Sequence, residues 1–407
     1  MKKKYLFMLP AMSFAAGTSA FAQDVATVPA AAKVNMKAEF NEAKPAKALF
    51  DELAGLINEM AKEAGEEVDA KAILTALGLN EINSYAMSSE KDGNLWKNHI
   101  FLHNNGSDKG IFPILGKKNS DFIVSNIAPA DSDLAFQLEL DLKTVEKLIS
   151  SVMKAGNAPA DAVEEFNEAM AEQVPMLGLT TSELLAKLKV RVNLVMDLDP
   201  TVKLALPMVG QIDTPNLLIR IDGVGWAADK VADNLVAQSG LPFEKKEADG
   251  VKTYSLPAAM AAQFLGYSPV IAIDTKNDTL SIASTPEFLA KCNNAGDKLA
   301  KSADFTAATA GFTQKGNAMT YVSVEFAQFI VKMMEIAQAS GTLEHMGDEE
   351  KAQLEKTFAL LKKADKDLFS SFSRTDEGLQ MTEKGIQDIK SRIDESKKQF
   401  KTIMENL

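Results

Sequence analysis

Two stretches of the chain alternate strictly between apolar and polar or small residues. Leu134, Phe136, Leu138, Leu140 and Leu142 form one; Val190, Val192, Leu194, Met196 and Leu198 form the other. A period of two predicts strands with one buried face, expected here to be the apolar one. Asn216–Asp222 continues the pattern with Leu217, Ile219 and Ile221 on one side. Asp199-Pro200 is expected to close the second strand, because proline cannot donate to a ladder. Other stretches carry helical spacing. Leu49, Phe50, Leu53, Leu56, Ile57 and Met60 mark a helix over 44–64, and Val145, Leu148, Ile149, Val152 and Met153 mark one over 143–154. Further helices are expected over 70–79, within 160–187, and over 226–238, 325–338 and 348–363. Thr285-Pro286-Glu287 starts another, with a hydroxyl cap and proline in the first turn.

Hairpins are expected around Lys91-Asp92-Gly93-Asn94, Lys276-Asn277-Asp278 and Asp376-Glu377-Gly378. Phe122–Ile127, Lys252–Leu256 and Ala318–Val324 read as further strands. The fold class is therefore α+β: antiparallel sheets with helices packed on one face, and amphipathic helices near both ends. The order hairpins, strand, helix, helix, strand occurs twice, which predicts an internal duplication. The expected divisions are a leader at 23–40, a first repeat at 41–205, a second at 206–384 and a terminal helix at 385–407. The boundary sits where Pro200, Pro207, Gly210 and Pro215 cluster.

Residues 1–22 carry a different pattern. Lys2, Lys3 and Lys4 precede an apolar run, and Ala20-Phe21-Ala22 is a small-x-small cleavage site, with Gln23 the new N-terminus. That is a bacterial-type signal peptide cleaved after Ala22, and it predicts a periplasmic or secreted protein. The remaining sequence offers no uninterrupted apolar stretch long enough for a membrane span. Net charge is −12, and removing three lysines makes the rest more acidic. Such a balance argues against nucleic acid, which needs a basic surface to displace counterions.

Candidate chemistry is sparse. Asp197 and Asp199 share a strand face roughly 6–7 Å apart, near the spacing of paired-carboxylate glycosidases. The plainer expectation is a solvated pair, as for Glu139 and Asp141 on the sister strand. His99 and His103 lie roughly 13 Å apart along a strand, too far for one metal ion. His345 stands alone. Asp222-Gly223-Val224-Gly225-Trp226-Ala227-Ala228 matches the form of a dinucleotide loop, but no parallel strand with a terminal acid follows. Its glycines are expected to serve a tight strand-to-helix turn. The single cysteine, Cys292, is expected to be a buried small hydrophobe. No cofactor or metal is expected. In the terminal helix Ile386, Ile389, Ile393, Phe400, Ile403 and Leu407 form a heptad seam. It suits packing on the chain's own sheet or on the helix at 44–64; its other reading is a homo-oligomer or partner seam.

Gly93-Asn94-Leu95-Trp96-Lys97-Asn98-His99-Ile100-Phe101-Leu102, Ile127-Ala128-Pro129-Ala130-Asp131-Ser132-Asp133 and Leu198-Asp199-Pro200 resemble an exported bacterial family known as a domain of unknown function. Tyr267-Ser268-Pro269-Val270, Ala283-Ser284-Thr285-Pro286 and Gly316-Asn317-Ala318-Met319-Thr320-Tyr321-Val322-Ser323 extend the similarity over most of 70–375. The resemblance implies an envelope location and no defined chemistry. The function expected is that of an exported, non-enzymatic envelope protein that binds a partner protein or hydrophobic ligand, or has a structural role. The alternative is a hydrolase of envelope or extracellular polymer acting through Asp197 and Asp199.

Overall fold

The computed structural model describes residues 28–63, 65, 67–206, 210–257, 259–260, 267–341 and 346–405. The cleavage site Ala22–Gln23, His345 and Leu407 lie outside them. In chain order come β1 (Phe40–Pro45), α1 (Lys47–Glu63), α2 (Ala70–Ala76), β2 (Ser84–Asp92) and β3 (Leu95–His103). Next are α3 (Val124–Ile127), β4 (Leu134–Asp141), α4 (Val145–Ala155), α5 (Ala160–Ala171), β5 (Gln173–Val174), β6 (Leu179–Thr180) and α6 (Thr181–Lys187). The middle of the chain forms β7 (Lys189–Leu206), β8 (Gly210–Asp222), α7 (Gly225–Ser239), β9 (Glu244–Ala248) and β10 (Val251–Ser255). Then follow β11 (Val270–Asp274), β12 (Thr279–Ala283), α8 (Pro286–Asn293), α9 (Ala303–Ala308) and β13 (Ala318–Val322). The last elements are α10 (Val324–Ala339), α11 (Asp348–Leu361), β14 (Leu368–Arg374), β15 (Gly378–Gly385) and α12 (Ile389–Glu405).

The elements assemble into two compact units, each discontinuous in sequence. One draws on 1–112, 147–163 and 375–407; the other on 113–146 and 164–374. Neither expected boundary, at 205/206 or 384/385, separates them. In the proline-rich stretch, residues 201–206 belong to β7 and 210–215 to β8, and the two strands pair with each other. β7 runs through Pro200 because the register shifts between Asp199 and Lys203, where the extra residues leave the ladder and no donor is needed from the proline.

In the first unit the antiparallel order is β1-β2-β3-β15. Pro45 is tolerated because β1 is paired with β2 alone in this ladder. Residues 28–40, expected as a free leader, are packed: Pro29–Lys33 forms a 3-10 turn, and Val28, Ala30 and Ala31 are buried with Ala43, Ala86 and Phe101. α1 and α2 meet through Phe50, Leu53, Ala54, Ile57, Ala70 and Leu74.

In the second unit the order is β14-β13-β4-β7-β8-β12-β11-β10-β9, again antiparallel throughout. Phe122–Ile127 is not a strand. Its second half is α3, held by Gln137 of β4, whose Oε1 accepts the N–H groups of Ile123 (2.8 Å) and Val124 (3.1 Å). Helices lie against both faces of this sheet rather than one. α3, α8 and α9 bring Val124, Phe288, Cys292 and Phe305 onto one side. α7 brings Ala228, Ala232 and Val236 onto Tyr254, Ile271, Ile273 and Leu280 on the other.

Candidate functional site

Cross-strand register defines two neighbouring rows on the sheet of the second unit. Val270, Ala283, Leu218, Val195, Ala135, Tyr321 and Phe369 are opposed in sequence from β11 to β14. Every one is buried, beneath Phe122, Phe288, Phe305 and Phe312. One residue along each strand, the next row is Ile271, Ile282, Ile219, Leu194, Phe136, Thr320 and Ser370. None of these is buried, and Ile282 is 39% exposed.

The whole apolar face follows that second row. Leu134, Phe136, Leu138 and Leu140 on β4, Val190, Val192, Leu194, Met196 and Leu198 on β7, and Leu217, Ile219 and Ile221 on β8 are all half-buried. The fully buried side is therefore not the expected one: beside Ala135, Val195 and Leu218 it carries polar members of the alternation. Gln137 and Asn193 have no accessible surface, and Asp197 retains 5%.

Hydrogen bonding explains why polar side chains can be sealed there. Glu139 accepts from the Lys117 N–H (2.9 Å), from the Arg191 guanidinium (2.8 Å) and from the Ser120 hydroxyl. Burial alone would raise its carboxyl; the bonds from Ser120, Lys117 and Arg191 more than offset this and hold it below the ordinary glutamate range. Asn317 accepts from the Arg374 N–H and donates to the Lys117 carbonyl, while Arg374 reaches the Gly116 carbonyl. These bonds strap the 116–121 loop onto the sheet. Asp133 accepts from the Leu198 N–H (2.7 Å) and the Ser323 hydroxyl (2.6 Å), and burial pushes its carboxyl upward.

Asp197 and Asp199 are not a solvated pair. Asp197 accepts from Asn216 (2.9 Å) and is ion-paired to Lys291 at 2.7 Å. Burial works against the Lys291 charge, but Asp197 and Asp131 hold its ammonium above the ordinary lysine value. Asp199 accepts from the Thr201 N–H (2.8 Å) and hydroxyl (2.6 Å) at the register shift. The two carboxylates thus serve an ion pair between a buried aspartate and an exposed lysine, and a strand irregularity. Asp141 caps the turn before α4 and pairs with Lys189 at 3.1 Å.

The other candidates are also placed. His99 and His103 lie on β3, and burial lowers the His99 imidazole below its ordinary value. Among the described residues no group of three or more His, Cys, Asp and Glu side chains could hold a metal ion. Cys292 is buried, and burial pushes its thiol up to about 12. Gly223 has φ +86° and a Cβ there would collide with the Lys189 carbonyl, while one at Gly225 would press on the Asp278–Thr279 backbone. The Trp226 N–H that opens α7 already donates to the Asp278 carboxylate (2.9 Å). These glycines serve close backbone approach. Ile389 of the terminal seam is buried, with its N–H donating to Ser89 Oγ of β2 at 3.0 Å. Ile386 and Ile393 are half-buried, and the side chains of Phe400 and Ile403 lie outside the described residues. No described helix is long and apolar enough to cross a membrane.

The first unit carries a polar hollow of about 580 Å³ lined by Asn80, Glu81, Asn83, Asn104, Asn105, Ser107, Asp108 and Lys109. Glu81 is engaged there by Lys109 (2.9 Å) and Ser107 (3.3 Å). The feature with chemical reach is instead the half-buried apolar face of β4, β7 and β8. From Val190 to Leu198 it is about 26 Å long, and from β4 to β12 about 14 Å across. The alternation located these residues but did not reveal that they remain open, because the covering helices are set by tertiary packing. Compared with protein-family models, curated proteins and solved structures, the chain matches none.

Proposed function

We propose that this protein works outside the cytosol, periplasmic or released, as a non-enzymatic binder of an apolar ligand. The N-terminal Lys2–Lys4, the apolar run and Ala20-Phe21-Ala22 support export. One observation carries the binding role. The aliphatic side chains of β4, β7 and β8 stay only half-buried, and Ile282 of β12 is 39% exposed, while Gln137, Asn193 and Asp197 on the opposite side are sealed. Apolar side chains left partly open in a row along one sheet face are where an apolar ligand would find contact. Its length exceeds the roughly 15 Å of hydrocarbon in one bilayer leaflet, so an extended acyl chain fits along β7.

The test is titration with an uncharged apolar fluorophore such as N-phenyl-1-naphthylamine. Wild type should bind saturably, and Leu194→Glu should abolish binding while the thermal transition is retained. Absence of saturable binding by the wild type, or equal binding by Leu194→Glu, would contradict the proposal.

A further inference from the structure

At the end marked by Val190 and Ile221 the apolar face meets a basic aromatic corner. The contact that sets this corner is the Gly223 turn, which lies against the Lys189 carbonyl and so brings the start of α7 to the end of α6. There the Lys187 ammonium lies 5.7 Å, and that of Lys230 5.8 Å, from the centroid of the Trp226 ring. α7 lies on the apolar side of the sheet, since Ala228, Ala232 and Val236 pack on Ile271 and Leu280. Trp226 in its first turn is half-exposed, and both lysines are exposed.

In a chain of net charge −12, acids to neutralise these lysines are plentiful, yet those nearby are committed elsewhere. Glu183, one turn before Lys187, closes the capping box of α6 with Thr180. Asp233, three residues after Lys230, takes Lys245 (2.7 Å) and the Tyr254 hydroxyl (2.8 Å). Asp229 pairs with Lys252 at 2.6 Å, Asp141 with Lys189, and Asp222 with Arg220. Neither Lys187 nor Lys230 pairs with a carboxylate among the described residues. Two ammonium groups over one indole therefore cap one end of an apolar strip.

We propose that the ligand is a long-chain carboxylate bound as a monomer, with its tail along β7 and β8 and its headgroup at Lys187 and Lys230. This rests on the apolar-binding role proposed above and adds the charge and orientation of the ligand. Tail burial supplies a non-directional attraction, and the paired ammonium groups at one end make it directional.

Trp226 supplies the readout, because Trp96→Phe leaves it as the only tryptophan. In that background the full chain is titrated with palmitate, hexadecanol and hexadecyltrimethylammonium, following indole emission. Palmitate should bind tighter than hexadecanol, and the cation weakest. Lys187→Glu with Lys230→Glu should weaken palmitate about tenfold or more and leave hexadecanol unchanged. Lys187→Arg with Lys230→Arg should preserve the preference. Equal affinity for palmitate and hexadecanol, unaffected by the Glu pair, would overturn the headgroup assignment and leave the apolar role standing. Failure of all three probes to bind would overturn both. Binding to anionic vesicles without binding of monomeric palmitate would also overturn it.

Discussion

The two sides of the second unit's sheet differ in a way that inverts the simple rule for amphipathic strands. One side holds Gln137, Asn193 and Asp197 and is sealed; the other holds Phe136, Leu194 and Ile219 and is half open. Polarity along a strand therefore does not determine which side is covered. The sealed side succeeds because α3, α8 and α9 bring phenylalanines and because most of its polar side chains find partners, although the Asn193 Oδ1 has none. Gln137 caps α3, Glu139 collects three donors, and Asp197 holds Lys291. A surface whose aliphatic side chains are only half-buried gives up some stability that fuller burial would add.

The contrast is broken most severely in the sealed core. Phe369→Ala should cost about 3–5 kcal/mol, measured by urea denaturation, because Phe305 and Phe312 pack against that ring at 6.1 and 5.8 Å between centroids. A loss below about 1 kcal/mol would show that the sealed side is not the stabilising one. Next in size, Gln137→Leu should cost about 1–3 kcal/mol by the same measurement, since it strands one buried and one part-buried N–H group at the start of α3. On the other side, Leu194→Ala should cost less than Phe369→Ala, because Leu194 is only half-buried while Phe369 is fully buried. If Leu194→Ala matched Phe369→Ala, the distinction between the sides would be lost.

Acid sharpens the same comparison. Glu139 sits below the ordinary glutamate value of 4.5 in the folded chain. A depressed carboxyl contributes stability that is present above the unfolded value and is lost as pH falls through the folded one. Unfolding free energy should therefore decline below about pH 4.5, and Glu139→Gln should flatten that decline. A variant with an unchanged acid limb would remove Glu139 from the account. The smallest effect is chemical. With its thiol pushed up to about 12, Cys292 should resist alkylation by iodoacetamide at pH 8 in the native state and react on unfolding. Fast labelling of the native chain would show that the sealed side opens readily.

The α+β class, the hairpins and the long helices were legible because periods of two and 3.6 are written into the residues themselves. Features that depend on distant partners were not. α3 looks like a strand until Gln137, thirteen residues from Val124, supplies its cap. Pro200 looks like a strand end until the register shift on β7 accommodates it. The charged β9, whose sequence is EKKEA, carries no apolar period and is a strand because β10 pairs with it. The discontinuous units escape a linear reading for the same reason. At the candidate site the alternation named the apolar residues, but only packing reveals that Asp197 is buried and that the aliphatic side is only half-buried. Lys187, Trp226 and Lys230 converge through the Gly223 turn, and the glycine pair was the one local signal that could have marked that corner.

The most direct test uses palmitate carrying a diazirine at the end of its chain, irradiated with the full protein and mapped by peptide mass spectrometry. Labels should fall within 189–199 and 216–222, and Leu194→Glu should eliminate them. Labelling confined to β2 and β3 of the first unit, or labelling of β7 and β8 that survives Leu194→Glu, would contradict the claim that the open aliphatic side is the ligand surface.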